Sequence, residues 1–200
     1  MPKILLLIFM SLSTMCFAQD SSINREFRGK ISGGLTFHPS YDFNSVGGQF
    51  NLGCSWLTKK GKIRHNVYVN VTNFKSRKAP EDGRLLTMNL SYSLSPFIIQ
   101  IPSRKPQSKK ISYEPSFGIC RGIHSSVVSG IGYAGGSGQY IESYSEGLHW
   151  GIIYNPISFS IKQVQVNRMN WYIETPMQVF VGSNLGLILS FSLTIGTNFG

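Results

Sequence analysis

The sequence predicts an all-β protein, a closed antiparallel transmembrane β-barrel of eight strands with ten as the alternative, preceded by a cleaved signal peptide. Three observations predict this fold. Apolar and polar side chains alternate with a period of two along most of the chain. The segments 84–95 and 185–199 reach the ~9–11 residues that a tilted strand needs to cross a bilayer. The polar faces consist of Ser, Thr, Gly and Asn, small groups that suit a narrow lumen.

The amino-terminal segment has the composition of a secretory signal. Lys3 supplies a positive charge, residues 4–10 are apolar, and Ala18 provides a small residue at the end of the segment. The apolar run is too short for a helical membrane span of ~20 residues. We therefore expect residues 1–18 to be a signal peptide and residues 19–200 to form the barrel.

The carboxy-terminal segment, LGLILSFSLTIGTNFG, explains why the barrel should be closed. Its odd-numbered positions are apolar and its even-numbered positions polar, and this order persists to Phe199. In lipid every backbone N–H must be hydrogen-bonded, and only a closed ring of strands leaves no edge. The last strand would then pair with the first. A soluble, secreted β-sandwich also alternates and remains the alternative.

Glycine, proline and lysine mark the predicted connections. Nine alternating segments can be identified, but a single-chain bacterial barrel has an even number of strands. Eight strands are expected if residues 157–170 are irregular. The Gly- and Ser-rich stretch 129–140 is expected to be a mobile loop. Turns are predicted at 59–62, 78–83, 102–110 and 182–184.

The net charge of the chain indicates which partners the protein could bind. The chain has 19 Lys and Arg against 9 Asp and Glu, a formal net charge of +10. For an exported protein this charge favours outer-membrane lipid and lipopolysaccharide phosphates as partners over nucleic acid. Since many of the cations lie in connections, solvated loop charge is an equally good explanation.

Two groups of side chains are candidates for structural roles in a barrel. Arg64, Glu114 and Glu174 fall on polar faces, where a lone charge would be unfavourable, so we expect them to pair with one another or with water. Aromatic side chains at the ends of apolar faces would form an interfacial girdle. Its predicted members are Trp56, Tyr92, Tyr154, Trp171 and Phe199.

No metal or cofactor site is predicted. His38, His65 and His149 stand singly, without zinc-ligand spacing, and the chain has few aspartates for calcium loops. Cys54 falls on a lipid-facing position and Cys120 on a lumen-facing one, so no disulfide is expected between them.

A family resemblance follows from three features: a signal ending in FAQ, the phrase YIETPMQVFVG at 172–182, and the terminal strand with its near-terminal Phe199. Together they resemble the small outer-membrane β-barrel domain proteins of Gram-negative bacteria. The resemblance implies a location in the outer membrane and insertion by the barrel-assembly machinery, which reads a terminal aromatic strand. Most members of the group have no assigned activity. We expect a monomer with a structural or loop-mediated binding role and no catalytic activity. Here Gly200 follows the aromatic residue.

A second resemblance supplies the enzymatic alternative. His124 and Ser126, with Glu142, are similar to the catalytic set of an outer-membrane lipid A deacylase family, in which His activates Ser for acyl transfer. The Asn-Ala that follows Ser in that family is replaced by Val127 and Val128. Even-numbered positions here should face the lumen, away from lipid. We therefore expect these to be residues at a strand mouth and the protein not to be an enzyme.

Overall fold

The computed structural model describes residues 27–39, 45–58, 63–76, 82–102, 109–134, 137–163, 169–182 and 186–199. Within these ranges the chain forms twelve antiparallel strands that pair as one sheet. No helix among the described residues is long and apolar enough to cross a membrane. The predicted signal peptide at 1–18 lies outside the described residues, as do the loop residues 59–62, 78–81, 103–108 and 183–184.

The strands follow one another along the chain with short connections. Their bounds are β1 Phe27–His38, β2 Ser45–Leu57, β3 Arg64–Ser76, β4 Asp82–Ser95, β5 Ile99–Ile101, β6 Lys109–Tyr113, β7 Ser116–Ala134, β8 Ser137–Asn155, β9 Ser158–Gln163, β10 Met169–Glu174, β11 Met177–Gly182 and β12 Gly186–Phe199.

Prolines explain why twelve strands make an eight-stranded wall. Pro96, Pro115, Pro156 and Pro176 each lie between two consecutive strands, where a residue without an N–H cannot join the ladder. The pairing resumes beyond each proline, so β4 continues as β5, β6 as β7, β8 as β9 and β10 as β11. β10 and β11 pair with β12 in one uninterrupted register. The wall therefore has eight strands, as expected.

Pairing between β1 and β12 closes the wall into a ring. Cross-strand partners can be followed once around the barrel, from Phe27 back to β1 at Phe37, ten residues farther along the same strand. This stagger in eight strands corresponds to a strand tilt of about 40°. The intermediate partners are Trp56, His65, Leu94, Phe117, Tyr154, Met177 and Phe191.

The distribution of side chains is the reverse of that in a soluble protein. Leu187 is 71% exposed and Ile119 67% exposed on the outer face, whereas Thr87, Asn89 and Ser93 are fully buried in the lumen. Burying hydroxyls and amides while exposing aliphatic groups is unfavourable in water and favourable in lipid. The barrel therefore spans a membrane, and the soluble sandwich is excluded by the closed ring and by this inversion.

Two predictions about local structure were wrong. Residues 129–134 and 137–140 belong to β7 and β8, which stay paired as far as Ala134 and Ser137. Glycine-rich sequences occur at tight hairpin turns as well as in loops, so the composition did not distinguish the two. Most of the segment expected to be irregular, 157–170, is also strand. β9 and the first two residues of β10 lie there, since the prolines interrupt the wall strands without ending them.

The depth of the apolar band can be tested on one strand. Leu193 and Leu187 both point outward from β12; Leu193 lies in the middle of the strand, and Leu187 lies beside its first residue, at the edge of the band. Leu193→Arg should destabilise the barrel by about 2–4 kcal/mol, and Leu187→Arg by about 0–1 kcal/mol. Urea unfolding in lipid vesicles measures both values. Equal losses would contradict the assigned register.

Candidate functional site: the barrel lumen and its mouths

The two ends of the barrel differ in what they carry. The start of β1 and the end of β12 lie at one end, together with the connections β2–β3, β5–β6 and β9–β10. We call this end the termini mouth. The connections β1–β2, β3–β4, β7–β8 and β11–β12 lie at the opposite end, which we call the distal mouth.

Two buried ion pairs cross the lumen near the termini mouth. Arg64 Nε lies 2.7 Å from Glu114 Oε2, and Ser112 donates a 2.7 Å hydrogen bond to Glu114 Oε1. Lys30 Nζ lies 2.8 Å from Glu174 Oε1. Of the three charged residues singled out in the sequence, Arg64 and Glu114 are thus brought together. Glu174 pairs instead with Lys30, which the sequence analysis did not identify.

Polar side chains fill the middle of the lumen. Asn51 donates to Ser32 at 2.9 Å and accepts from Asn70, while Ser192 donates to Thr36 at 2.9 Å. These amides and hydroxyls satisfy one another across neighbouring strands. Below them, Lys30 also lies over the ring of Tyr172, 4.5 Å from its centroid.

An apolar cluster occupies the lumen toward the distal mouth. His149 packs on one of its rings, that of Phe180, with centroids 4.8 Å apart. The cluster interrupts the polar phase of four strands, so alternation alone could not reveal it. Together with the packed polar layer it fills this part of the lumen with buried side chains. Its members are Phe74, Leu85, Phe180 and Ile188, all at most 3% exposed.

The three residues of the enzymatic alternative do not form a catalytic set in the described contacts. His124 lies inside β7, where its Nδ1 is 3.4 Å from Nδ1 of His149, and not at a strand mouth as expected. Ser126 donates to the carbonyl of Ser145 at 3.5 Å. Glu142 pairs through its backbone with Ser129, farther along the hairpin. None of the described hydrogen bonds joins Ser126 to His124.

The predicted girdle residues all point outward, at different depths. Trp56, Trp171 and Phe199 lie near the termini mouth, and Trp56 stacks on His65 with ring centroids 5.2 Å apart. Phe199 covers Gly29, where an added Cβ would meet its ring at 2.3 Å. Tyr92 and Tyr154 lie farther into the apolar band. The Tyr92 hydroxyl reaches back to His65 Nδ1 at 2.8 Å.

A cavity of about 300 Å³ opens at the termini mouth. Its lining comes from β1, β2 and β3 and from the short strands β5, β6 and β9 on the termini side of the prolines. Lys110 and Lys162 line it from directly opposite register positions on these two strands. A second cavity, of about 10 Å³, lies deeper beside Lys30 and Tyr172 and has room for a single water.

The described part of the lumen shows neither a cluster of metal ligands nor a disulfide. The described residues contain no cluster of three His, Cys, Asp or Glu that could hold a metal ion. Cys54 and Cys120 are both thiols, and they lie on opposite faces of the wall.

The closed eight-stranded ring and its inverted side chains decide the class of protein. The fold is that of a small outer-membrane β-barrel. No protein-family model matches the chain, and no curated protein matches it significantly. Among solved structures it is similar to Neisserial surface protein A, with 14% identity, a TM-score of 0.48, and 88% of this chain and 98% of that chain covered.

Two further outer-membrane-type barrels show weaker similarity. Ail, the attachment invasion locus protein of Yersinia pestis, was solved with the heparin analogue sucrose octasulfate; it has 14% identity, a TM-score of 0.41 and coverage of 87% and 99%. The N-terminal β-barrel domain of Pseudomonas aeruginosa OprF has 10% identity, a TM-score of 0.37 and coverage of 86% and 97%. The assignment of this chain to the fold rests on its own register and side chains.

The Lys30–Glu174 pair gives a test of lumen packing. Glu174→Gln would leave the Lys30 ammonium, which is 11% exposed in the side chain, without its carboxylate. Breaking such a buried pair should destabilise the barrel by about 3–5 kcal/mol. The double variant Lys30→Met with Glu174→Gln should recover most of the loss. Urea unfolding in vesicles measures both, and additive losses would show that the pair is not coupled.

Proposed function

We propose that this protein is a non-enzymatic outer-membrane barrel whose β7–β8 hairpin binds a partner beyond the membrane. The observation that carries the proposal is the length of the hairpin relative to its neighbours. β7 and β8 have 19 residues each. β4 pairs with β7 only as far as Asp82↔Ser129, and β11 pairs with β8 only as far as Gly182↔His149.

The hairpin therefore extends past both neighbouring strands. Beyond Ser129, the last residue paired with β4, β7 continues for five residues to Ala134 and pairs with β8 alone among the described strands. At 3.3 Å per residue the hairpin extends roughly 17 Å past both neighbouring strands. The β8 edge that faces β11 is longer, since β8 continues for twelve residues from His149 to Ser137. Unpaired strand edges are surfaces that partner proteins use for strand addition. The packed lumen supports this role over solute passage.

Lipopolysaccharide is the proposed lipid partner. Lys75 and Arg84 are directly opposite each other on β3 and β4, both exposed on the outer face near the distal mouth. Like charges in opposite positions repel, so an anion between them would be stabilising. If the distal mouth faces outward, as expected for periplasmic termini, lipid A phosphates lie at this level.

The absence of catalysis is part of the same proposal. His124 contacts His149 inside the lumen, and Ser126 is engaged with a backbone carbonyl. Both face away from the acyl chains that a deacylase must reach. We also propose that the chain acts as a monomer without nucleic-acid ligands, and that β12, with Phe199 on its outer face, is read by the barrel-assembly machinery.

The hairpin experiment replaces residues 130–141 by Asn-Gly, which joins Ser129 to Glu142 by a short turn. Cells displaying the full and shortened chains at equal levels are compared for attachment to immobilised glycans and matrix proteins. The shortened chain should keep its heat-dependent gel mobility and lose attachment, because the barrel is independent of the hairpin tip.

Equal attachment by the two chains would contradict the binding role of the hairpin. Lipid A from the same cells should have an unchanged mass, and loss of an acyl chain that is abolished by Ser126→Ala would instead establish the deacylase alternative.

The lipid proposal predicts a composition-dependent stability. Adding lipopolysaccharide to phosphatidylcholine vesicles should raise the unfolding free energy of the wild-type barrel by about 1 kcal/mol or more through preferential binding to the folded state. The gain should disappear in Lys75→Gln with Arg84→Gln. If lipopolysaccharide stabilised this variant as much as the wild type, Lys75 and Arg84 would not be its binding site.

A further inference from the structure

The cavity at the termini mouth carries an excess of positive charge. Its described lining includes four cations, Arg28, Arg64, Lys110 and Lys162, and a single carboxylate, Glu114, so the difference is three charges. A concave wall concentrates the field of such charges and raises the local concentration of anions.

Lys110 and Lys162 provide an independent sign that an anion belongs here. They are direct cross-strand partners on β6 and β9, and both line the cavity. Like charges in directly opposed positions destabilise a sheet. Farther into the lumen Lys30 is matched by Glu174, whereas neither of these two lysines forms an ion pair with a described residue.

The shape of the cavity suits a bound molecule and not a passage. Uncharged polar side chains, Gln100, Ser112 and Ser160, share the wall with the lysines. Toward the interior, Lys30 and Tyr172 leave a space of only about 10 Å³. The cavity thus opens at one end, and its volume of about 300 Å³ exceeds that of a single water many times.

We propose that the termini mouth is a binding site for a multiply charged phosphate group, belonging either to a soluble phosphate compound or to a lipid headgroup. A phosphate carries up to two charges and three acceptor oxygens, which can engage both lysines at once. Arginine in the same wall adds the planar donor geometry that suits phosphate. This inference does not depend on the function proposed for the hairpin.

The test uses the full mature chain in zwitterionic micelles, titrated with inorganic pyrophosphate by calorimetry. Lys162→Gln and Lys110→Gln should each weaken binding about tenfold, because each removes one charge-assisted hydrogen bond. Arg121→Gln is the matched control. It removes the same charge from the outer face, opposite Leu90, and should leave affinity unchanged.

Glu114→Gln should change the affinity for pyrophosphate in the opposite direction. It removes the carboxylate from the wall while the amide oxygen can still accept from Ser112, so pyrophosphate should bind about tenfold more tightly. A variant that merely damaged the fold would not gain affinity. Heat-dependent mobility confirms that each variant is folded.

Nanodiscs distinguish the two sources of the phosphate. Competition with pyrophosphate by phosphatidic acid in a phosphatidylcholine disc would assign the site to a lipid headgroup, and its absence would assign it to soluble phosphates. The proposal is overturned if wild type fails to bind pyrophosphate. It is also overturned if Arg121→Gln weakens binding as much as Lys162→Gln, or if Glu114→Gln brings no gain.

Discussion

The pairing of β1 with β12 is the interaction on which the rest of the structure depends. In the hydrocarbon phase an unpaired N–H or C=O costs several kcal/mol, so two free sheet edges could not persist there. Nine consecutive residue pairs, from Gly29↔Phe199 to Phe37↔Phe191, join the first strand to the last. Closure then requires an even number of wall strands and separates an outer face from a lumen.

The narrow ring dictates what the lumen contains. The side chains in the lumen form three layers along the barrel axis. Ion pairs lie at the termini mouth, amides and hydroxyls in the middle, and the apolar cluster with His149 toward the distal mouth. Ion pairs and hydrogen bonds in these layers join side chains on different strands. A lumen filled in this way stiffens the wall, so contacts with partners are left to the β7–β8 hairpin and the two mouths.

Local patterning was enough to predict the wall, since a period of two assigns a face to every residue of a strand such as β12. The lumen positions of Arg64 and Glu114 followed from the same rule. The partner of Glu174 did not, because Lys30 lies 144 residues away and only the closing register brings them together.

The features that escaped prediction have physical reasons of their own. In the sequence, Pro156 and Pro176 predict the ends of strands. In the structure the backbone hydrogen bonds between neighbouring strands continue beyond these prolines, as in the hydrogen bond that Thr175 N donates to Ile157 O. Phe74 and Phe180 are apolar residues in a polar phase, which makes sense only once the lumen exists. The Gly-rich stretch 129–140 looked like a loop because glycine marks both loops and hairpins.

Engineered disulfides test the closed ring most directly. With Cys54 and Cys120 replaced by Ala, Leu35→Cys and Leu193→Cys occupy directly opposite positions on β1 and β12, within disulfide reach. Oxidation in isolated outer membranes should cross-link this pair efficiently, whereas Leu35→Cys with Ile195→Cys, offset by two residues on the same face, should form little disulfide. Efficient linkage of the offset pair alone, or no linkage of either pair, would contradict the closed eight-stranded barrel.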